Sequence, residues 1–111
     1  RDWRARAFWC RAALMAKRLE QAEIRRRLDG APGWTLGSDG LSIRRALEFR
    51  DFNEAFGFMT RIALAAEKAD HHPEWSNVYN RVEISLTTHD SGGLTEKDFA
   101  LAAAINEAAS Q

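Results

Sequence analysis

A change of hydrophobic period across Pro73 constrains this chain more than any other feature. From Asp51 to Asp70 the apolar residues recur at helical spacing. Phe52, Phe56, Met59, Ala63 and Ala66 form one stripe, and Phe58, Ile62, Ala65 and Ala69 form a second beside it. From Val82 to Thr88 they alternate instead. Val82, Ile84 and Leu86 share one face, and Glu83, Ser85 and Thr87 the other, the pattern of a half-buried strand. His71 and His72 precede Pro73, and the residue before a proline is pushed out of the helical region. The helix must therefore stop at the histidine pair, and the chain must turn back as sheet.

The remaining segments fit around that switch. Leu19–Leu28 reads as a helix, with Ile24 and Leu28 one turn apart, ended by Gly30 and Pro32. Arg25, Arg26 and Arg27 form a solvated face of it. Gly33–Gly37 and Leu41–Phe49 read as a hairpin across Ser38-Asp39-Gly40. Arg45 interrupts the mostly apolar parity of the second strand and is expected near an edge. Trp75–Asn80 reads as a short strand or bend. The stretch from Thr95 to about Ala109 carries Phe99, Ala102, Ile105 and Ala109 at helical core spacing. The order helix, two strands, helix, two strands, helix predicts an α+β domain: a four-stranded antiparallel sheet with three helices packed on one face.

A length of 111 residues suits one domain. Residues 1–18 differ from the rest, being rich in arginine and alanine. They are expected to form a helical extension, with residues 19–111 as the domain proper. Met15-Ala16-Lys17 reads as a natural start, and the first fourteen residues as an upstream extension. The apolar run around Ala7–Ala16 is broken by Arg11 and is too short for a membrane span. Sixteen basic and sixteen acidic residues balance, which argues against a nucleic-acid surface. The single cysteine, Cys10, permits no internal disulfide and fits a reducing, cytoplasmic setting. Two apolar stripes on the Asp51–Asp70 helix exceed what one sheet face needs. Phe58, Ile62 and Ala65 are expected to be exposed as a subunit interface, giving a homodimer or homotetramer.

The residues with chemistry gather between Glu67 and Asp98. This stretch holds all three histidines, His71, His72 and His89, with Glu67, Asp70 and Asp98 as nearby acids. The pair falls at a helix C-terminus. His89 falls at a strand end, before the turn Asp90-Ser91-Gly92-Gly93. Two such ends can converge on one cleft, and imidazoles suit general acid–base catalysis. The same spacing also reads as a satisfied turn, or as a metal site. However, adjacent rings seldom chelate one ion and no i, i+4 histidine pair lies on a helix. Asp98 reads equally as the N3 acid of a capping box opened by Thr95, with Leu94 and Phe99 as its hydrophobic staple.

The run EKADHHPEWSNVYNRVEISLTTHDSGGLTEKD, with FRDFNEAFGFMT upstream, resembles the pterin-4a-carbinolamine dehydratase family over roughly residues 19–108. The resemblance implies a hydro-lyase that converts 4a-hydroxytetrahydropterin to quinonoid dihydropterin. That step recycles the tetrahydrobiopterin cofactor of aromatic amino acid hydroxylases. It implies catalysis by His71, His72 and His89. Pterin contacts would come from His71, His72, Pro73, Thr88, His89, Asp90 and Ser91, with Glu67 and Asp98 in support. No metal and no separate cofactor are implied, since the pterin is the substrate. Expected partners are a second copy of the chain and an aromatic amino acid hydroxylase, with no nucleic acid and no membrane. Two other roles remain open on the resemblance: a dimerisation cofactor of a transcription factor, and a relative acting in molybdopterin metabolism.

Overall fold

The computed structural model describes residues 17–110. Helix α1 (Gln21–Asp29) is followed by β1 (Thr35–Leu36), β2 (Ile43–Glu48), α2 (Phe52–Ala69), β3 (Glu74–Val78) and β4 (Arg81–Leu86). A 3₁₀ turn (His89–Ser91) then leads to α3 (Glu96–Ala109). The strands form one antiparallel sheet in the order β1-β2-β4-β3. β2 and β4 pair from Ile43↔Leu86 to Glu48↔Arg81, and β3 folds back on β4 from Glu74↔Ser85 to Val78↔Arg81.

Alternation separates the two faces of the sheet. Ile43, Val82, Ile84 and Leu86 are buried and join Ile24 of α1, Ala55, Phe58, Ile62 and Ala66 of α2, and Phe99, Leu101, Ala102 and Ile105 of α3 in one core. The opposite parity, with Arg44, Ala46, Glu48, Arg81 and Glu83, is exposed. The α+β architecture expected from the pattern is the one observed.

Local signals set the helix ends. The Asp51 carboxylate accepts from the Glu54 N–H at 2.9 Å, and the Glu54 carboxylate accepts from the Arg50 N–H at 2.8 Å. These contacts satisfy N–H groups at the start of α2. α2 ends in Asp70, held in the left-handed region at φ 55° and ψ 42°. Pro73 then forces extended chain into β3.

Three expectations change. The exposure expected on α2 is largely reversed: Phe58 and Ile62 are 0% and 1% exposed, whereas Phe52 and Phe56 are 48% and 56% exposed, although Ala66 of their stripe is buried. The sheet takes the face whose branched and aromatic side chains meet Ile43, Val82 and Ile84, which period alone does not identify. α1 does not continue out of the N-terminal extension. Residues 17–20 have no regular structure, and the Leu19 N–H bonds the Leu94 carbonyl at 2.8 Å. Of the extension expected at residues 1–18, residues 1–16 lie outside the described residues. Arg45 sits on an inner strand, but just past the two-residue β1, whose pairing stops at Arg44↔Thr35. Its guanidinium donates to Asn106 of α3 and packs on Gly33, where a Cβ would come within 2.8 Å of Arg45 Nε.

These burials predict opposite responses on one helix. Phe58→Ala is expected to cost about 3–5 kcal/mol of unfolding free energy in urea titration, as for a large core truncation. Phe56→Ala should change it by less than about 1 kcal/mol.

Candidate active site

The ends of α2, β4 and the start of α3 meet around one buried carboxylate. Asp98, fully buried, stands in the first turn of α3. Its Oδ2 accepts from the Thr95 N–H at 2.9 Å and from the Thr88 hydroxyl at 2.8 Å. Its Oδ1 lies 2.6 Å from Nε2 of His71, the second residue beyond α2. Thr88 directs its one hydroxyl hydrogen at Asp98. The Thr95 hydroxyl, 2.8 Å away, must then donate to Thr88 while accepting from the Lys97 N–H. Every donor in this chain points toward Asp98. Facing an ionised carboxylate, His71 carries its hydrogen on Nε2, which leaves Nδ1 with the lone pair.

Asp98 thus closes the capping box and also bonds the His71 ring. The Thr88 hydroxyl is committed within the network. Among the described residues no buried side-chain nitrogen or oxygen lacks a partner.

The other two histidines are surface groups with carboxylates of their own. His72 Nε2 lies 2.9 Å from Glu67 Oε1, back across the last turn of α2, with side chains 57% and 82% exposed. His89 opens the 3₁₀ turn, and its Nε2 lies 2.5 Å from Glu74 Oε2 on the first residue of β3. Pro73, half-buried, joins the histidine pair to Glu74. Asp90 is exposed in the turn, and the Ser91 N–H bonds the Thr88 carbonyl at 3.0 Å. Gly92 closes the turn at φ 74°, where a side chain would be strained.

All three histidines therefore lie at one end of the sheet, but in different settings. His71 is buried against Asp98. His89 lines a cleft of about 380 Å³ on the open face with Arg44, Glu74, Ser85 and Thr87, and neither His71 nor His72 is among its lining residues. Sequence reasoning passed over Glu74. The available signal was its position directly after His-His-Pro, where an extended chain places it beside the β4 end. Among the described residues no three His, Cys, Asp or Glu side chains come together as metal ligands. No described helix is long and apolar enough to cross a membrane.

Comparison with known proteins adds a consistent result. The family model for pterin 4 alpha carbinolamine dehydratase matches residues 17–108. A protein of Rhodopseudomonas palustris is 56% identical over 97 residues, covering 87% of this chain and 96% of its own. One from Rhodospirillum rubrum is 55% identical over 92 residues, covering 83% and 96%. Both are provisionally named pterin-4-alpha-carbinolamine dehydratase. A crystal structure of a transcriptional coactivator/pterin dehydratase from Brucella melitensis matches with a TM-score of 0.82 at 45% identity. That match covers 84% of this chain and 99% of that one.

The network makes Asp98 a stability determinant. Asp98→Ala leaves the Thr88, Thr95 and His71 donors without an acceptor. It is expected to cost about 3–5 kcal/mol by chemical denaturation. Asp98→Asn keeps one acceptor oxygen and should cost less, about 1–3 kcal/mol.

Proposed function

The chain belongs to the pterin 4 alpha carbinolamine dehydratase family, and on that premise we propose that it dehydrates 4a-hydroxytetrahydropterin to quinonoid dihydropterin and water. In this reaction the N5–H bond breaks and its electron pair forms the C4a=N5 double bond. The C4a–O bond breaks, and the leaving hydroxyl takes a proton to depart as water. One group must accept a proton and another must give one. After each turnover the two exchange it back through solvent.

The observation that carries this reading is the buried His71–Asp98 pair at 2.6 Å. Asp98 fixes the ring and its tautomer before any substrate arrives, so little reorganisation accompanies proton transfer. His71 is assigned to the acid–base pair with His89. His72, exposed at the rim, is assigned mainly to substrate contact. Pro73, Thr88, Asp90 and Ser91 frame the pterin through the backbone beside these rings. General acid–base chemistry of this kind needs no metal and no separate cofactor. The product is the oxidised-side pterin that tetrahydropterin-dependent aromatic amino acid hydroxylases require to be reduced again, so recycling for such a hydroxylase in the cytoplasm is the proposed physiological role.

Self-association is part of the proposal. Phe52 and Phe56 stack with ring centroids 5.8 Å apart on the solvent side of α2, and Leu64 further along is 70% exposed. An apolar strip of this kind supports a homodimer or homotetramer. A transcription-factor contact, suggested by the coactivator description of the Brucella relative, would use helix surface of the same character.

Stopped-flow turnover of enzymatically generated carbinolamine tests the chemistry. The wild type should accelerate dehydration, and His89→Ala should lower kcat about 10²–10⁴-fold. His71→Gln, which keeps a donor to Asp98, should do likewise with the fold intact. Wild-type protein that leaves the spontaneous rate unchanged would sink the reading, as would activity lost to a chelator and restored by a metal. Phe56→Glu should shift sedimentation toward the monomer at micromolar concentration while the fold is retained. A wild type already monomeric there would contradict the assembly.

A further inference from the structure

We propose that Glu74 is the positioning residue for His89, holding the imidazole with Nε2–H toward the carboxylate and Nδ1 toward the substrate. This rests on the dehydratase reading above and deepens it by assigning the nitrogen that exchanges the proton.

The geometry is built from two backbone segments that the β3–β4 ladder brings together. Glu74 begins β3 and lies opposite Ser85 in the β3–β4 ladder. His89 begins a turn locked at its base by two hydrogen bonds between Thr88 and Gly93, 3.0 and 3.3 Å long, and closed by the Gly92 N–H on the His89 carbonyl. The Arg18 guanidinium bonds the Gly92 carbonyl from outside at 3.1 Å. The Glu74 carboxylate and the His89 ring thus meet at 2.5 Å, both lining the same cleft.

A carboxylate only accepts, so Nε2 carries the hydrogen, and the lone pair of the neutral ring sits on Nδ1. The same relation holds at His71 with Asp98 and at His72 with Glu67: each ring offers Nε2 to its acid. Held by Nε2 in each pair, the three rings each keep the lone pair of the neutral form on Nδ1. The pairs differ in burial. At His71 the partner is inaccessible, whereas the His89 and Glu74 side chains are 77% and 59% exposed. An exposed pair is worth little in water. A flat bicyclic substrate in the cleft would displace that water and strengthen the contact in the complex. The effect of Glu74 should therefore appear in kcat rather than in KM.

The other charged groups around the cleft do not take this place. Asp39 of the β1–β2 turn accepts from the Leu41 N–H at 2.9 Å. Arg44 of β2 lines the cleft as a cation and offers no acceptor. Asp90 neighbours His89 in sequence, but the ring's bonded carboxylate is that of Glu74. Glu74 supports β3 through its backbone, so replacing its exposed side chain leaves the fold in place.

The test compares Glu74→Ala, Glu74→Gln and Glu74→Asp in steady-state dehydration and in long-range ¹H–¹⁵N spectra, which distinguish imidazole tautomers. Glu74→Ala is expected to lower kcat about five- to ten-fold, the scale of an exposed pair partly desolvated by substrate, with KM changed less than about two-fold. Its His89 signal should move from the Nε2–H pattern to a tautomer mixture. Glu74→Gln, whose amide oxygen still accepts, should keep the Nε2–H pattern and lose less activity, and Glu74→Asp should recover part of it. In a His89→Ala background, Glu74→Ala should add nothing. The proposal is overturned if Glu74→Ala raises KM and spares kcat, since the carboxylate would then be holding the pterin edge. It is also overturned if the two losses add, or if the His89 tautomer is unchanged by the loss of Glu74. The spectra need no substrate. An inactive wild type would therefore refute the dehydratase reading, while the tautomer comparison would still decide the role of Glu74.

Discussion

The fold around the site depends on a buried carboxylate. Asp98 is fully inaccessible, and a carboxylate withdrawn from water is costly unless its lone pairs are met. Here they are met from three directions: by the Thr95 N–H of its own helix start, the Thr88 hydroxyl at the end of β4, and the His71 ring beyond α2. One side chain therefore caps α3, anchors the last strand and fixes the end of the longest helix. The hydroxyl of Thr95, donating to Thr88, orients the second acceptor in turn. Such a network holds a single arrangement, because any shift of one element strands a buried donor.

The sheet then separates an apolar face from a polar one. Behind it, Ile43, Val82, Ile84 and Leu86 join the three helices in the core. In front of it, the polar parity of β2, β3 and β4 floors the cleft that His89 and Glu74 line. The strand end at Thr88-His89 crosses between the two: Thr88 faces the interior and is 4% exposed, and the next residue faces the cleft. Alternation along a single strand end thus gives one histidine a rigid buried anchor next door and keeps the ring itself accessible. Pro73 performs the same step on the other side, carrying the chain from the buried His71 to Glu74 on the open face.

α2 shows a comparable division. Its inward face, with Ala55, Phe58, Ile62 and Ala66, is closed by the sheet and α3, while Phe52, Phe56 and Leu64 remain in solvent. This places the apolar surplus of the chain on the far side of the helix from the sheet, where a second copy could meet it without disturbing the core.

The sequence by itself determined the elements and gathered all three histidines in one stretch. Hydrophobic period distinguishes helix from strand because burial on one face demands it, and Pro73 forbids helix at the residue before it. Both signals are local, as is the Thr95–Asp98 capping box, which spans four residues. Tertiary structure decided everything that required a choice of face or a partner far along the chain. Two equally apolar stripes on α2 carry no mark of which meets the sheet, and the answer came from the shapes across the interface. Asp98 read locally as a cap; that it also holds His71, 27 residues away, follows only from the packing of α3 against the end of α2. Glu74 went unread in the sequence. Its pairing with His89 exists because the β3–β4 register sets residue 74 opposite Ser85 and beside the turn that follows β4. Contacts of that range depend on loop closure and register, which no short window of residues encodes.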